Sequence, residues 1–316
     1  MRKKNVLILG VSGQDGSYLA HYLIKNKYKV IGVSRKKSSI SNHIKLGIEK
    51  KVIIKNFNYN DYDKMKSVII KNNINQIYFL SGQPKPSLSD KNILETLYSN
   101  IIPVYNIIDI IINHKKNIKF FNSSSCEIFK ISNKKMDETS EKEPNSIYAL
   151  SKLISFEMVK FFREKFSLSI CSGILFHHDS VLRDKNYVIQ KIIKNVIKIK
   201  KDNKKKLMLG SIEISRDWGW APEYVKVMFK ILNQKKVDDY IIATGKTIKL
   251  KSVLDKVFKL NNLNWKNHVT TKKKFFRKYD SKIRNANVSK IKKDLGWEAK
   301  NSIDDVIKNL IDKRLF

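Results

Sequence analysis

The sequence predicts an α/β protein: a doubly wound parallel sheet followed by a smaller, mixed C-terminal domain. Three observations predict it. Apolar runs of strand length (5–9, 29–34, 52–54, 76–80, 118–121 and 170–175) alternate with helix-like stretches near 61–72, 92–114 and 147–166. That alternation builds a parallel sheet covered on both faces. The first run ends in three glycines, Gly10, Gly13 and Gly16, and passes straight into the helical pattern Tyr18–Ile24. After residue 176 the regular alternation stops.

Each element has a local reason. The opening strand-turn-helix has the context of a dinucleotide-binding fingerprint and makes the sheet Rossmann-type. The first glycine permits a tight turn, the second a close approach of pyrophosphate, and the third close packing of helix on strand. The helix N-terminus then aims free N–H groups at the phosphates. The alternative is a glycine turn that holds no ligand. The second strand ends Ser34-Arg35-Lys36-Lys37-Ser38-Ser39. An NAD enzyme places a carboxylate here for the ribose 2′-OH. Cations and hydroxyls without a carboxylate suit a 2′-phosphate, so the expected cofactor is NADP; a basic surface loop is the plainer alternative. Segments 92–114 and 147–166 carry more apolar residues than one buried face needs, which suggests a helical dimer interface beside core burial. Ser289 and Ser302 are expected to cap two closing helices. The expected domains are 1–175, with a returning segment near 217–245, and 176–216 with 246–316.

Composition narrows the class. The chain has 316 residues, and 42% are hydrophobic, enough for a substantial core. Cys126 and Cys171 have no zinc or disulfide spacing, so no metal is expected and a reduced, cytoplasmic setting is. The basic start Met1-Arg2-Lys3-Lys4 is followed by an apolar run too short for a signal peptide, and reads as a first strand. The longest apolar patch, 101–112, is interrupted by Pro103, Asn106 and Asp109 and is too short to insert in a membrane. The formal charge of +35 invites a polyanion partner. Lysine, isoleucine and asparagine are abundant together, however, and the lysines are scattered. Codon drift explains this without a nucleic-acid partner, and clusters such as 204–206 and 272–274 read as solvated faces.

The chemistry gathers between residues 122 and 152. Tyr148 and Lys152 are one helical turn apart and share a face. An adjacent ammonium favours phenolate, so the pair can take a proton from an alcohol while a nicotinamide takes the hydride. The spacing alone is common; its position after a dinucleotide fingerprint gives it weight. At a strand end stands Asn122-Ser123-Ser124-Ser125-Cys126-Glu127. Ligands of open α/β sheets bind outside the carboxyl ends of strands. A hydroxyl there can bond a substrate oxygen, and Glu127 can remove a proton α to a ketone. Turn-capping serines and a solvated glutamate are the plainer account. Cys126 has no histidine partner and reads as packing.

These residues, with Gly10-Val11-Ser12-Gly13-Gln14-Asp15-Gly16-Ser17, Gly173-Ile174-Leu175-Phe176-His177-His178, Arg216-Asp217-Trp218-Gly219, Ile242-Ala243-Thr244-Gly245 and Leu295-Gly296-Trp297, carry a resemblance over nearly the whole chain. It resembles the extended short-chain dehydrogenase/reductases and, among them, the GDP-mannose 4,6-dehydratase family. The resemblance implies a catalytic set of Ser125 (in place of a family threonine), Glu127, Tyr148 and Lys152. It implies a cofactor site at Gly10, Ser12, Gly13, Gln14, Asp15, Gly16, Arg35 and Asn58 with Tyr148 and Lys152. It implies substrate contacts from Val188, Lys191, Arg216 and Arg277, mostly to the diphosphate, with Asp280 replacing a ribose-binding glutamate. Arginine suits phosphate because its planar fork binds two oxygens. Asn100 matches an asparagine that props the catalytic helix.

The implied reaction has three stages: oxidation at C4, loss of the C5 proton to Glu127 with departure of the C6 hydroxyl as water, and return of the hydride to C6. The cofactor ends unchanged. Departures cluster at the sugar: Pro84-Lys85 for a Ser-His pair, His177 for an asparagine, and Phe129-Lys130 for Tyr-Gly; Asn58 replaces an aspartate near the adenine. A GDP-sugar substrate is thus expected, GDP-mannose first and a GDP-manno-heptose second. A 4-keto-6-deoxy sugar reductase or epimerase, and a non-catalytic NADP- or polyanion-binding protein, are the other readings. A homodimer or homotetramer is expected.

Overall fold

The computed structural model describes residues 4–34, 41–82, 92–114, 117–276 and 281–316. Arg35, Lys36, Pro84, Lys85, Arg277 and Asp280 lie outside the described residues.

Strand β1 (Asn5–Leu9) is followed by α1 (Gln14–Lys25), β2 (Lys29–Ser34), α2 (Ser41–Lys45), β3 (Val52–Asn56), α3 (Tyr62–Lys71) and β4 (Ile74–Phe79). Then come α4 (Ile93–His114), β5 (Lys119–Ser125), a 3₁₀ turn at Cys126–Ile128, α5 (Ile147–Phe166), β6 (Ile170–Leu175) and β7 (His177–Asp179). The C-terminal part holds α6 (Val188–Lys201), β8 (Leu207–Leu209), β9 (Ser215–Trp220), α7 (Ala221–Leu232), β10 (Tyr240–Ile242), β11 (Thr247–Lys249), α8 (Leu250–Lys259), β12 (Val269–Thr271), α9 (Ser289–Leu295) and α10 (Ile303–Ile311).

Seven strands form one sheet in the order β10-β6-β5-β4-β1-β2-β3. Every pairing in it is parallel. The chain order reverses between β1 and β4, so the glycine turn after β1 sits at the switch point where such sheets bind ligands. One face packs on α1 and α7. The other packs on α3, α4 and α5. Burial on both faces explains why these strands read as near-continuous apolar runs.

The smaller part holds a three-stranded sheet, β11-β9-β7, and a two-stranded one, β12-β8. A separate core there is built by α6, α8 and α10. Helix α6 shows no break over 14 residues, although the sequence after 176 reads as irregular. Strand β9 pairs with β7 and β11, and α7, which starts at Ala221, packs on the large sheet. Ser302 caps α10 in a full capping box with Asp305. Ser289 is instead the first residue of α9, and the side chain of Asn287 takes its N–H at 3.0 Å. An asparagine two residues upstream competes well for that free donor. Among the described residues, no helix is long and apolar enough to cross a membrane.

Candidate active site

The glycine turn is built for a dinucleotide. Gly10 has φ +86°, and a Cβ there would meet the Leu80 carbonyl oxygen at 2.8 Å. A Cβ on Gly16 would collide with the backbone of Gly10 and Val11, so the third glycine lets α1 lie against the turn. Gly13 is the N-cap of α1 and no side chain caps the helix. The first-turn N–H groups and the positive end of the helix dipole are thus left for an anion. Ser12 Oγ lies 3.2 Å from Ser34 Oγ, placing two hydroxyls beside the end of β2. Asn58 is exposed, and its side-chain oxygen accepts from Asn60 N at 3.1 Å, which leaves its NH₂ group outward.

Gln14 and Asp15 face elsewhere. His178 Nε2 lies 3.0 Å from both Asp15 carboxylate oxygens, while Gln14 donates to Asp15 and accepts from Ser180 Oγ at 2.8 Å. Burial alone would raise Asp15; the His178 charge and hydrogen bond, with Arg183, outweigh it and hold the carboxyl at about 2. These side chains therefore bind the cofactor turn to β7.

The four expected catalytic residues converge. Ser125 ends β5, and its Oγ accepts from Glu127 N at 3.3 Å, capping the 3₁₀ turn. Ser146 caps α5 by accepting from Ala149 N, which sets Tyr148 in the first turn. Burial pushes the Tyr148 phenol above its ordinary value, and a hydrogen bond with the Ser125 side chain opposes this. Lys152 is buried, and its Nζ donates to the Ser123 carbonyl at 2.9 Å. Burial brings its ammonium down to about 8. The phenol is thus raised by its burial, and the group that opposes this is Ser125. Asn100 does brace α5, through its backbone: its carbonyl accepts from Ser155 Oγ at 2.8 Å. Cys126 is buried packing; burial and the Glu127 charge push its thiol up to about 12, which leaves no nucleophile.

The residues expected to contact substrate lie mostly in the smaller part. Val188 begins α6, and Tyr187 before it lies close enough to Tyr148 for its charge to be felt there. Lys191 Nζ donates to Met208 O at 2.7 Å and lies over the Phe275 ring, two residues before Arg277. His177 pairs in register with Trp218. Arg216 is 2% exposed and donates to Ser215 O at 2.8 Å.

One residue was not singled out by its sequence context. Arg284 is fully buried, and its Nη2 donates to Glu127 Oε2 at 3.1 Å. Its Nη1 donates to the carbonyls of Cys126 and Phe129 at 3.2 and 2.9 Å. A signal exists: of 64 basic residues only eight are arginine, and three of those eight are 216, 277 and 284.

A parallel seven-stranded sheet with a glycine turn at its switch point, and a serine, a tyrosine and a lysine at the adjoining strand end, define an extended short-chain dehydrogenase/reductase. Solved structures share the fold: UDP-glucose 4-epimerase from Thermotoga maritima (TM-score 0.87, 19% identity, 98% of each chain) and dTDP-glucose 4,6-dehydratase from Bacillus anthracis (TM-score 0.86, 17% identity, 98% of this chain and 96% of that one). The chain belongs to the GDP-mannose 4,6 dehydratase family, whose model matches residues 7–310. It is 33% identical to GDP-mannose 4,6 dehydratase 1 of Arabidopsis thaliana, covering 99% of this chain and 90% of that protein. It is 28% identical to the Homo sapiens GDP-mannose 4,6 dehydratase, covering 98% and 91%.

Proposed function

We propose that this protein is an NADP-dependent GDP-sugar 4,6-dehydratase acting on GDP-mannose or a close GDP-sugar. The observation that carries the reading is the convergence of Ser125, Tyr148 and Lys152 with a further carboxylate, Glu127, at one strand end. A reductase needs only the first three; an elimination needs a base for C5.

A bound nicotinamide supplies the hydride acceptor at C4 and the donor at C6. Tyr148 takes the C4 hydroxyl proton, and Ser125 holds the same oxygen. Glu127 takes the C5 proton once the neighbouring carbon is a ketone, which is the proton most acidified by that ketone. NADP rather than NAD is supported by Ser34 and Ser12 at the end of β2 and by Arg35-Lys36 next in sequence. Arg216, Arg277 and Lys191 are the cations assigned to the diphosphate, with Val188 and Asp280 toward the nucleoside. Lys85 and His177 are assigned to the hexose, where the sequence departs from the family pattern.

We also propose a homodimer, or a homotetramer containing it. Leu94, Tyr98 and Tyr105 on α4 are exposed, as are Leu150, Ile154 and Phe161 on α5. Both sets follow the spacing i, i+4, i+11, and the two helices pack on each other. The free, buried thiols of Cys126 and Cys171 support a cytoplasmic location.

Incubation of the purified protein with GDP-mannose and no added cofactor is expected to yield the 4-keto-6-deoxy sugar. Turnover only on a GDP-heptose would move the substrate and keep the chemistry. Absence of turnover across a panel of GDP-sugars would refute the reading.

A further inference from the structure

We propose that Arg284 is the positioning residue for Glu127, holding its carboxylate toward the substrate so that it can take the proton from C5. The inference rests on the role assigned to Glu127 under the proposed function.

The geometry is specific. Arg284 comes from the segment after residue 280, and its backbone N donates to Ser215 O at 3.1 Å. Its guanidinium reaches the 3₁₀ turn at Cys126–Ile128. One nitrogen ties the two carbonyls at the turn's ends, those of Cys126 and Phe129, and the other binds Glu127 Oε2. The planar fork therefore fixes both the backbone that carries the glutamate and the rotamer of its side chain. A lysine has one point of charge and cannot span these acceptors in a fixed plane. Among the described residues, Glu127 has no other ion pair, and only Oε2 is engaged. Oε1 is left uncommitted by Arg284. The side chain is 15% exposed while Arg284 is 0% exposed, so the carboxylate keeps some access to solvent while bound to a fully buried cation.

The other ionisable groups around this turn are Tyr148 on α5, Arg216 and Asp217 on β9, and Cys126. Arginine does not give up its proton in proteins. Arg284 therefore keeps its charge and acts through Glu127 rather than taking the C5 proton itself. In the elimination, the C5–H bond breaks and its electron pair forms the C5–C6 double bond. The C6–O bond breaks with its electrons on oxygen, and the hydroxyl leaves as water with the proton that Glu127 releases. Carbon, oxygen and charge balance, with no external oxidant or reductant in this step.

The test compares wild type, Arg284→Gln, Arg284→Lys and Glu127→Gln in single turnovers. It follows reduced-nicotinamide absorbance, product, and solvent-deuterium uptake at C5 of added 4-keto-6-deoxy product. In Arg284→Gln, oxidation at C4 should persist and the reduced signal should accumulate. Elimination and C5 exchange should both fall about 10²-fold, with KM little changed. Arg284→Lys should lie between Arg284→Gln and wild type. Wild-type elimination and exchange in Arg284→Gln, or equal loss of oxidation and elimination in both folded arginine variants, would overturn the proposal. If Arg284→Gln does not fold, Arg284→Lys decides: slowed elimination with intact oxidation supports it, and unslowed elimination overturns it. Unchanged elimination in Glu127→Gln would instead remove the role of Glu127, a failure distinguishable from that of Arg284.

Discussion

Lys152 Nζ donates to the Ser123 carbonyl at 2.9 Å, so the lysine of the catalytic helix is anchored in the strand that ends in Ser125. A cation is held inside the protein for this. Its folded value, about 8, lies below the ordinary 10.5. Burying the charge therefore costs roughly 3 kcal/mol below that folded value, and the cost fades to nothing above the ordinary one. The lost hydrogen bond returns about 1 kcal/mol of this. Lys152→Met should thus raise stability by about 2 kcal/mol at neutral pH, with the gain shrinking between pH 8 and 10.5, while activity falls sharply. Thermal melts of both proteins across that range check the sign.

Asp15 tests the link between the cofactor turn and β7. Its folded carboxyl, at about 2, lies below the ordinary 3.8, so the contribution is fully present above the ordinary value and is lost as pH falls through the folded one. Asp15→Asn should cost roughly 2 kcal/mol at neutral pH. The two proteins should converge in denaturant midpoint near pH 2. A constant difference down to that pH would mean the carboxylate charge is not the source.

Ser125 has two jobs, capping the 3₁₀ turn and bonding Tyr148. Its backbone is extended, φ −145° and ψ 147°, which a β-branched residue adopts readily. Ser125→Thr should keep kcat within a few-fold. Ser125→Ala should lower kcat by about 10²-fold and cost about 1 kcal/mol of stability. Steady-state kinetics beside melting curves separates the two effects.

The apolar rows on α4 and α5 predict association. Tyr98→Glu combined with Ile154→Glu should give a monomer by light scattering, because burying unpaired carboxylates at such a face costs several kcal/mol. An unchanged mass would place the interface elsewhere.

Much of this was legible in the sequence for a physical reason. A sheet buried on both faces writes its strands as apolar runs, and the turn at its switch point has to be glycine. Ser125, Glu127, Tyr148 and Lys152 fall on three consecutive elements, so local spacing exposes them. Arg284 is 157 residues from the carboxylate it binds, and no local pattern spans that distance. It was hidden also by the lysine-rich background, in which basic residues mostly report composition. The few arginines are the informative ones, because composition does not account for a fork kept where a lysine would be the default. The partners of Asp15 were hidden likewise, since His178 reaches it only when β7 folds back over the first turn.

Strand β10 is the last to join the large sheet, and Asp239 just before it is held by Arg163 at 2.8 and 2.6 Å and by Ser172 N at 2.6 Å. During synthesis, β6 leaves the ribosome some 65 residues ahead of its neighbour. At about 5–20 residues per second, that edge stays unpaired for several seconds. An open parallel edge is a template for pairing with other chains. The layout thus gives the nascent chain a defined window in which a chaperone has something to protect, and the arrival of Asp239 at Arg163 closes it.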